Sequence, residues 1–283
     1  MKRTVSLILA VIIAALSLIA FVSCGKTDAS ADLSNIKSKG KLVVGMECAY
    51  APYNWTQATA NEYTVKLANG SYADGFDVQI AKKIAASIGV ELVITPIEWD
   101  GLIPALENGG IDMIIAGMSP TEDRKLNIDF SDTYFDSNLV MVVKKGSAYE
   151  SATSLSGFTG AKVTAQQNTF HYTVIDQIPG VQKQTALADF AALMQALSSG
   201  AIDAYICEKP GAVSAVASNP EFAFVEFADG QGFTCDPAES SISVGIRKGS
   251  SLTPVINEVI ASLTKADKEA LMDAAIARQP AED

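Results

Sequence analysis

Histidine is nearly absent from this chain: it occurs once in 283 residues, at His171. That excludes a histidine–cysteine metal cluster of ordinary spacing and deprives any acid–base series of its commonest member. Cysteine is also scarce, at Cys24, Cys48, Cys207 and Cys235. Cys24 falls at the end of a leader, and the odd number beyond it cannot form a fully paired disulfide framework. One bridge is possible, and the sequence does not choose the pair. Positive charge is in deficit, with a formal net charge of -11. Nucleic acid is therefore not expected as the main partner, since phosphates call for a basic surface. There is no Gly-x-x-x-x-Gly-Lys-[Ser/Thr] loop, so nucleotide hydrolysis is not expected of this chain.

Apolar residues make up 48% of the sequence and charged ones 19%. This is a globular composition, and the length is enough for two compact units. Met1-Lys2-Arg3 is a short cationic start, followed by an uncharged apolar run over residues 5–22 and then Ser23-Cys24-Gly25. That order reads as a secretory signal ending at a small residue before cysteine. It is similar to a bacterial lipoprotein signal, which implies Cys24 as the lipidated first residue of an extracytoplasmic, membrane-anchored protein. Stable attachment then takes more than one acyl chain. A retained transmembrane anchor is the alternative, because the run is long enough to span. Residues 25–35 are small and polar and read as a flexible tether.

The globular part alternates strands and helices. A strand over residues 42–46 leads into Glu47, Tyr50, Tyr53 and Trp55, an acidic and aromatic group around the turn at Pro52. Any one of these aromatics alone reads as core, but together they fit a binding lip. Residues 57–73 read as a polar loop or small hairpin, with Asp74 solvated beyond it. A helix opens at Gly75 and stops at Gly89, and a strand over 90–94 and a helix over 99–106 follow. The apolar run Asp112-Met113-Ile114-Ile115 is a further strand. This rhythm predicts parallel sheets covered by helices.

An internal echo divides the chain. Ala105-Leu106 to Ile115 and Ala196-Leu197 to Ile206 share the pattern Ala-Leu, two variable residues, Gly, any residue, Ile-Asp, two variable residues, Ile. In each copy a helix ends at glycine and a strand begins at Ile-Asp, so the two halves use the same local arrangement. Each copy ends beside candidate ligand groups: Ser119, Thr121 and Arg124 after the first, Cys207 and Glu208 after the second. Two such lobes facing one another make a cleft at the strand ends, where α/β proteins bind ligands. Helices are expected over 169–177 and 186–197, strands over 162–165 and 241–246, and terminal helices over 252–263 and 267–277.

Five motifs in order, Tyr50-Ala51-Pro52-Tyr53, Gly75-Phe76-Asp77-Val78, Trp99-Asp100-Gly101-Leu102-Ile103-Pro104-Ala105-Leu106, Ala116 through Arg124, and Asp129-Phe130-Ser131, carry a resemblance. The chain resembles the solute-binding proteins of polar amino-acid ABC importers, the family of the histidine, lysine/arginine/ornithine and glutamine binding proteins, from about Leu42 to Met272. The resemblance implies a two-lobed, type II periplasmic-binding-protein-like α/β fold with two hinge strands. Its first lobe would comprise 36–137 and 234–283, its second 138–233. It implies an L-amino acid as ligand, an ABC permease as partner, no cofactor, no catalysis and a monomer. By motif position, Arg124 would clamp the ligand α-carboxylate, with Ser119 and the Gly117 and Met118 backbone beside it. Thr121 would mainly support the arginine loop. Backbone at Thr169 and Phe170 would donate to the carboxylate, and Glu208 would accept the α-ammonium. Asn168 stands where the family has Gly. The side-chain pocket would use Glu47, Tyr50 and Trp99, with Asn54, Trp55 and Cys207 nearby. Aromatic faces around a carboxylate favour a basic side chain, though glutamine or cystine fit the same role. Sensing without transport and dehydratase-type catalysis are the rival readings. His171 reads as a surface helix residue.

Overall fold

A computed structural model describes residues 28–237 and 239–280. The signal run and Cys24 lie outside the described residues. In chain order the elements are α1 (Asp32–Lys39), β1 (Lys41–Met46), β2 (Ala49–Tyr50), β3 (Asn54–Gln57), β4 (Val65–Lys66), β5 (Tyr72–Asp74), α2 (Phe76–Ile88), β6 (Glu91–Pro96), α3 (Leu102–Glu107), β7 (Met113–Ile114), α4 (Glu122–Lys125) and β8 (Ile128–Asp136). They continue with β9 (Leu139–Lys144), β10 (Lys162–Thr164), α5 (Phe170–Val174), β11 (Gln182–Lys183), α6 (Phe190–Ser199), β12 (Ala204–Glu208), α7 (Lys209–Ser218), β13 (Phe222–Val225), β14 (Ser241–Arg247), α8 (Thr253–Ser262) and α9 (Lys265–Arg278).

Two sheets have the same plan. The first runs β6-β1-β7-β14-β8 and the second β11-β10-β12-β9-β13. In each, three strands pair in parallel, the fourth pairs antiparallel with the third, and the fifth pairs antiparallel with the fourth. The chain leaves the first sheet at the end of β8 and starts the second at β9. It returns to the first at β14, and the two crossings meet where Ser137 N–H donates to the Ser240 carbonyl at 3.1 Å. A small antiparallel sheet, β2-β3-β5-β4, flanks the first.

The echo has a common physical basis. After α3 and after α6, a glycine in the left-handed region turns the chain, Gly109 at φ 73° and Gly200 at φ 75°. The Ala105 and Ala196 carbonyls then each accept two N–H groups from the turn. Each Ile-Asp pair next grips the neighbouring parallel strand twice. Asp112 N–H donates to the Val43 carbonyl at 2.8 Å and its Oδ2 accepts Val43 N–H at 2.9 Å. Asp203 does the same at Lys162, at 2.8 Å and 2.8 Å. An aspartate here pins the start of a central strand, so the pattern recurs wherever the topology does.

Alternation along the second sheet sorts its side chains into two layers. Val140, Val142, Tyr205 and Cys207 join the apolar cluster continuous with the first lobe. Met141, Val143, Ala204 and Ile206 face the other cluster, under Phe158, Val163 and Ile175. Both layers are buried, as expected of a sheet covered on both faces.

Four expectations need correction. The second half of the 25–35 tether is helical, because Asp32 is buried and takes Arg247 in a two-bond pair at 2.7 and 3.2 Å, with Ser250 Oγ donating to it at 2.6 Å. Ile36, on the same helix, is also buried. Asp74 is buried rather than solvated, receiving Arg278 Nε and Nη2 at 2.9 to 3.1 Å. The helix expected over 186–197 begins later, where Asp189 Oδ1 accepts Ala192 N–H at 2.7 Å. His171 is buried, at 5% exposure, in the cleft described next. Cys48, Cys207 and Cys235 are all unbridged.

Candidate ligand cleft

The loop from Ala116 to Arg124 follows β7 and turns into the cleft at Gly117, whose φ of 59° a side chain would strain. Gly117 N–H is held from behind by the Asp77 carboxylate, at the start of α2. Asp77 also accepts Tyr134 Oη at 2.8 Å and Asn54 Nδ2 at 2.9 Å. Burial pushes the Asp77 carboxyl up to about 6 against the pull of these donors. Thr121 caps α4, with Oγ1 accepting Arg124 N–H at 3.4 Å.

Arg124 then reaches back over its own loop. Nη1 donates to the Ser119 carbonyl at 2.8 Å and Nη2 to the Asn168 carbonyl of the second lobe at 3.1 Å. The guanidinium carbon lies 5.0 Å from the centre of the Trp99 ring. Burial draws the guanidinium down to about 10, partly offset by Glu208, so it is a cation at neutral pH.

The second lobe brings a turn and a strand end. Asn168 sits at φ 54°, in the left-handed region asparagine tolerates better than most residues. Its side-chain amide donates to Asp100 Oδ1 at 2.8 Å, and Gln167 donates to Asp100 Oδ2 at 2.9 Å. Its carbonyl also accepts Trp99 Nε1–H at 3.4 Å. Glu208 closes β12 and enters α7, where Pro210 suits the first turn. Glu208 Oε2 accepts the Tyr50 hydroxyl, and Oε1 lies 3.0 Å from His171 Nε2. Burial works to raise this carboxyl, but the imidazole and the hydrogen bonds from His171 and Tyr50 outweigh it and hold it below the usual carboxylate range. The Tyr50 ring stacks on Phe190 with centroids 3.8 Å apart.

These groups line a narrow cleft that their own side chains nearly fill, leaving a cavity of about 10 Å³. Of the residues singled out from sequence, Tyr50, Trp99, Gly117, Ser119, Arg124, Thr169, Phe170 and Glu208 line it. Asn168 touches it through the carbonyl that Arg124 holds. Glu47 stands one residue behind: Oε1 accepts Gln166 Nε2 at 2.9 Å, and Gln166 lines the cleft. Its Oε2 is buried without a partner among the described residues. Burial drives the Glu47 carboxyl up to about 8, against the Gln166 hydrogen bond. Thr121, Met118, Asn54, Trp55 and Cys207 are not in the lining. Met118 holds Ser243 N–H through its carbonyl, Asn54 supports Asp77, and Trp55 faces a separate apolar pocket. Gln166, Phe190 and His171 were missed. Their neighbours in sequence mark only a turn and a helix start, and the cleft forms only when the lobes meet.

A half-buried cation and a buried carboxylate, lining one small cleft between lobes of equal plan, suit a zwitterion. The family model for bacterial extracellular solute-binding proteins, family 3, matches residues 42–273. The chain belongs to that family. Among relatives, the arginine-binding extracellular protein ArtP of Bacillus subtilis is 28% identical over 257 residues, covering 89% of this chain and 90% of ArtP. A probable histidine-binding protein of Campylobacter jejuni is 31% identical over 217 residues, covering 75% and 78%. An amino acid ABC transporter substrate-binding protein from Streptococcus pneumoniae, solved bound to L-arginine, superposes with a TM-score of 0.76 at 27% identity, covering 87% of this chain and 98% of that one. The fold is thus the two-lobed fold of the solute-binding proteins, whose role is capture rather than catalysis. No described helix is long and apolar enough to cross a membrane.

Proposed function

We propose that this solute-binding protein captures a free L-amino acid, L-arginine best, outside the cytoplasm and delivers it to an ABC import permease. The observation that carries the reading is the half-buried Arg124 and the buried Glu208 lining one cleft, one group for each end of an amino acid. Arg124 takes the α-carboxylate with Ser119 and the Gly117 backbone. Backbone at Thr169 and Phe170 assists from the second lobe, and Glu208 takes the α-ammonium. Tyr50 and Trp99 flank the side chain, and Glu47, standing behind Gln166, supplies negative charge beyond its end. Glu47 holds a proton when buried without a cation; a guanidinium supplies that cation, so ionisation of Glu47 accompanies binding. The relatives named for arginine support the same choice.

The lobes comprise 36–137 with 234–283, and 138–233, and ligand favours their closure because only the closed form completes both sets of contacts. Lipidation at Cys24 would hold a monomer at the membrane, where lipid incorporation lost in Cys24→Ala tests it. Ligand choice is tested by isothermal titration of the purified chain with each common amino acid. L-Arginine binds most tightly if the reading is right. Tight binding of glutamine or cystine with none of arginine would overturn the choice, and no amino acid binding at all would overturn the function.

A further inference from the structure

Three consecutive side-chain amides of the second lobe reach across to carboxylates of the first. Gln166 donates to Glu47 Oε1 at 2.9 Å, Gln167 to Asp100 Oδ2 at 2.9 Å and Asn168 to Asp100 Oδ1 at 2.8 Å. Gln166 lines the ligand cleft. Asp100 and Asn168 instead border a second, open pocket of about 410 Å³, which shares Trp99 and Arg124 with the cleft. Both are exposed to solvent there. The bond between them thus stands at the mouth of the cleft, outside the groups that meet the amino acid.

The turn itself does not call for this side chain. At φ 54°, glycine would serve the backbone with no steric cost, whereas any side chain carries some. The neighbouring residues already tie the turn to its own lobe. Gln167 N–H donates to the Leu187 carbonyl at 2.8 Å, and Thr169 Oγ1 donates to the Gln166 carbonyl at 2.7 Å. What the Asn168 side chain adds is the bond to Asp100. Its carbonyl works across the lobes as well, accepting Arg124 Nη2 at 3.1 Å and Trp99 Nε1 at 3.4 Å. Trp99 and Asp100 are adjacent in the chain, so one short segment of the first lobe holds Asn168 by both its carbonyl and its amide.

We propose that Asn168 is a positioning residue whose side-chain amide clasps Asp100 across the cleft mouth, holding the lobes shut over a bound amino acid and keeping its carbonyl against Arg124 and Trp99. The proposal rests on the reading that an amino acid is captured between the two lobes. The clasp exists only where the lobes meet, so it stabilises the closed form and leaves the open form untouched. Ligand enters the open form and leaves only after the lobes part. Loss of the clasp therefore speeds release and spares entry. An ionised acceptor strengthens the bond and its exposed position weakens it. Gln167 keeps its own bond to Asp100 when Asn168 is replaced, so the effect is that of a single bond, about three- to tenfold in affinity.

The test is stopped-flow measurement of L-arginine association and dissociation in wild type and three variants. Asn168→Gly keeps the turn and relieves its φ, so its Tm without ligand should equal or exceed that of wild type. Its dissociation rate should nevertheless rise about three- to tenfold, with association unchanged within about twofold. An unchanged dissociation rate, or a rise accompanied by a Tm several degrees lower, would overturn the proposal. Asn168→Asp sets two carboxylates face to face and should release arginine faster still. Combining it with Asp100→Asn interchanges amide and carboxylate across the same gap, and should return dissociation to within about threefold of wild type. Without that rescue the clasp would be refuted, even if each single variant bound weakly. Failure of arginine to bind wild type would instead strike the functional reading on which the proposal rests.

Discussion

Truncating Arg124 to alanine should weaken L-arginine binding by about 10²–10⁴-fold, and the geometry sets that figure. The guanidinium has five N–H donors. Two are used in the present arrangement, on the Ser119 and Asn168 carbonyls at 2.8 and 3.1 Å. The other three leave enough for a two-bond grip on a carboxylate without stripping both carbonyls. Each charge-assisted bond contributes about 1.5–3 kcal/mol, so the pair contributes about 3–6 kcal/mol, and each 1.4 kcal/mol is a factor of ten in affinity. Arg124→Lys should recover only part of this, since a point charge does not reproduce the planar fork. Titration calorimetry with arginine and with agmatine, which lacks the α-carboxylate, separates the effect from general damage to the cleft. Agmatine should bind wild type weakly and lose little more in Arg124→Ala. If arginine bound the variant within a fewfold of wild type, or if agmatine lost as much as arginine, Arg124 would not be the carboxylate clamp.

Glu47, held up to about 8, makes the folded protein bind more protons than the unfolded chain from about pH 4.5 upward. Its contribution to stability is therefore fully present below that range and is lost as pH rises through 8, by up to a few kcal/mol. Asp77, at about 6, adds to the same trend over a lower window. Thermal melts without ligand should fall between pH 5 and 8.5, and Glu47→Gln should flatten the upper part; an unchanged profile would contradict this. Arg278→Ala leaves Asp74 as an unpaired buried carboxylate and should cost about 3–5 kcal/mol. At two to four degrees per kcal/mol that is roughly 6–20 °C in Tm, and a melt within 2 °C of wild type would refute the pairing as structural. At Gly75, φ is 134° and a Cβ would stand 2.2 Å from the Tyr53 carbonyl oxygen. Gly75→Ala should consequently give little soluble protein, whereas Gly40→Ala, strained only by its φ of 66° and with open space around its Cβ, should cost about 1 kcal/mol and still express. Equal yields would show the turn can move.

Much of the fold follows from local chemistry. Helix stops at Gly89 and Gly200, the cap at Thr121 and the Ile-Asp strand starts act over a few residues, so each could be read from its neighbours. The echo went further, because Asp112 and Asp203 perform one hydrogen-bonding task in two places, and a repeated task leaves a repeated pattern. The segment 116–124 carried its own arginine, its cap and its glycine, and half the cleft could be placed on it. Charges whose partners lie far along the chain were misread. Asp32 finds Arg247 across 215 residues and Asp74 finds Arg278 across 204, so each looked solvated or part of a tether. His171 had the same fate: only the meeting of α5 with the end of β12 buries it on Glu208. The sequence by itself determined which backbone units exist and which side chains suit an amino acid. Tertiary structure alone decided which charges share a cleft, because burial and pairing depend on separations in space that no local pattern records.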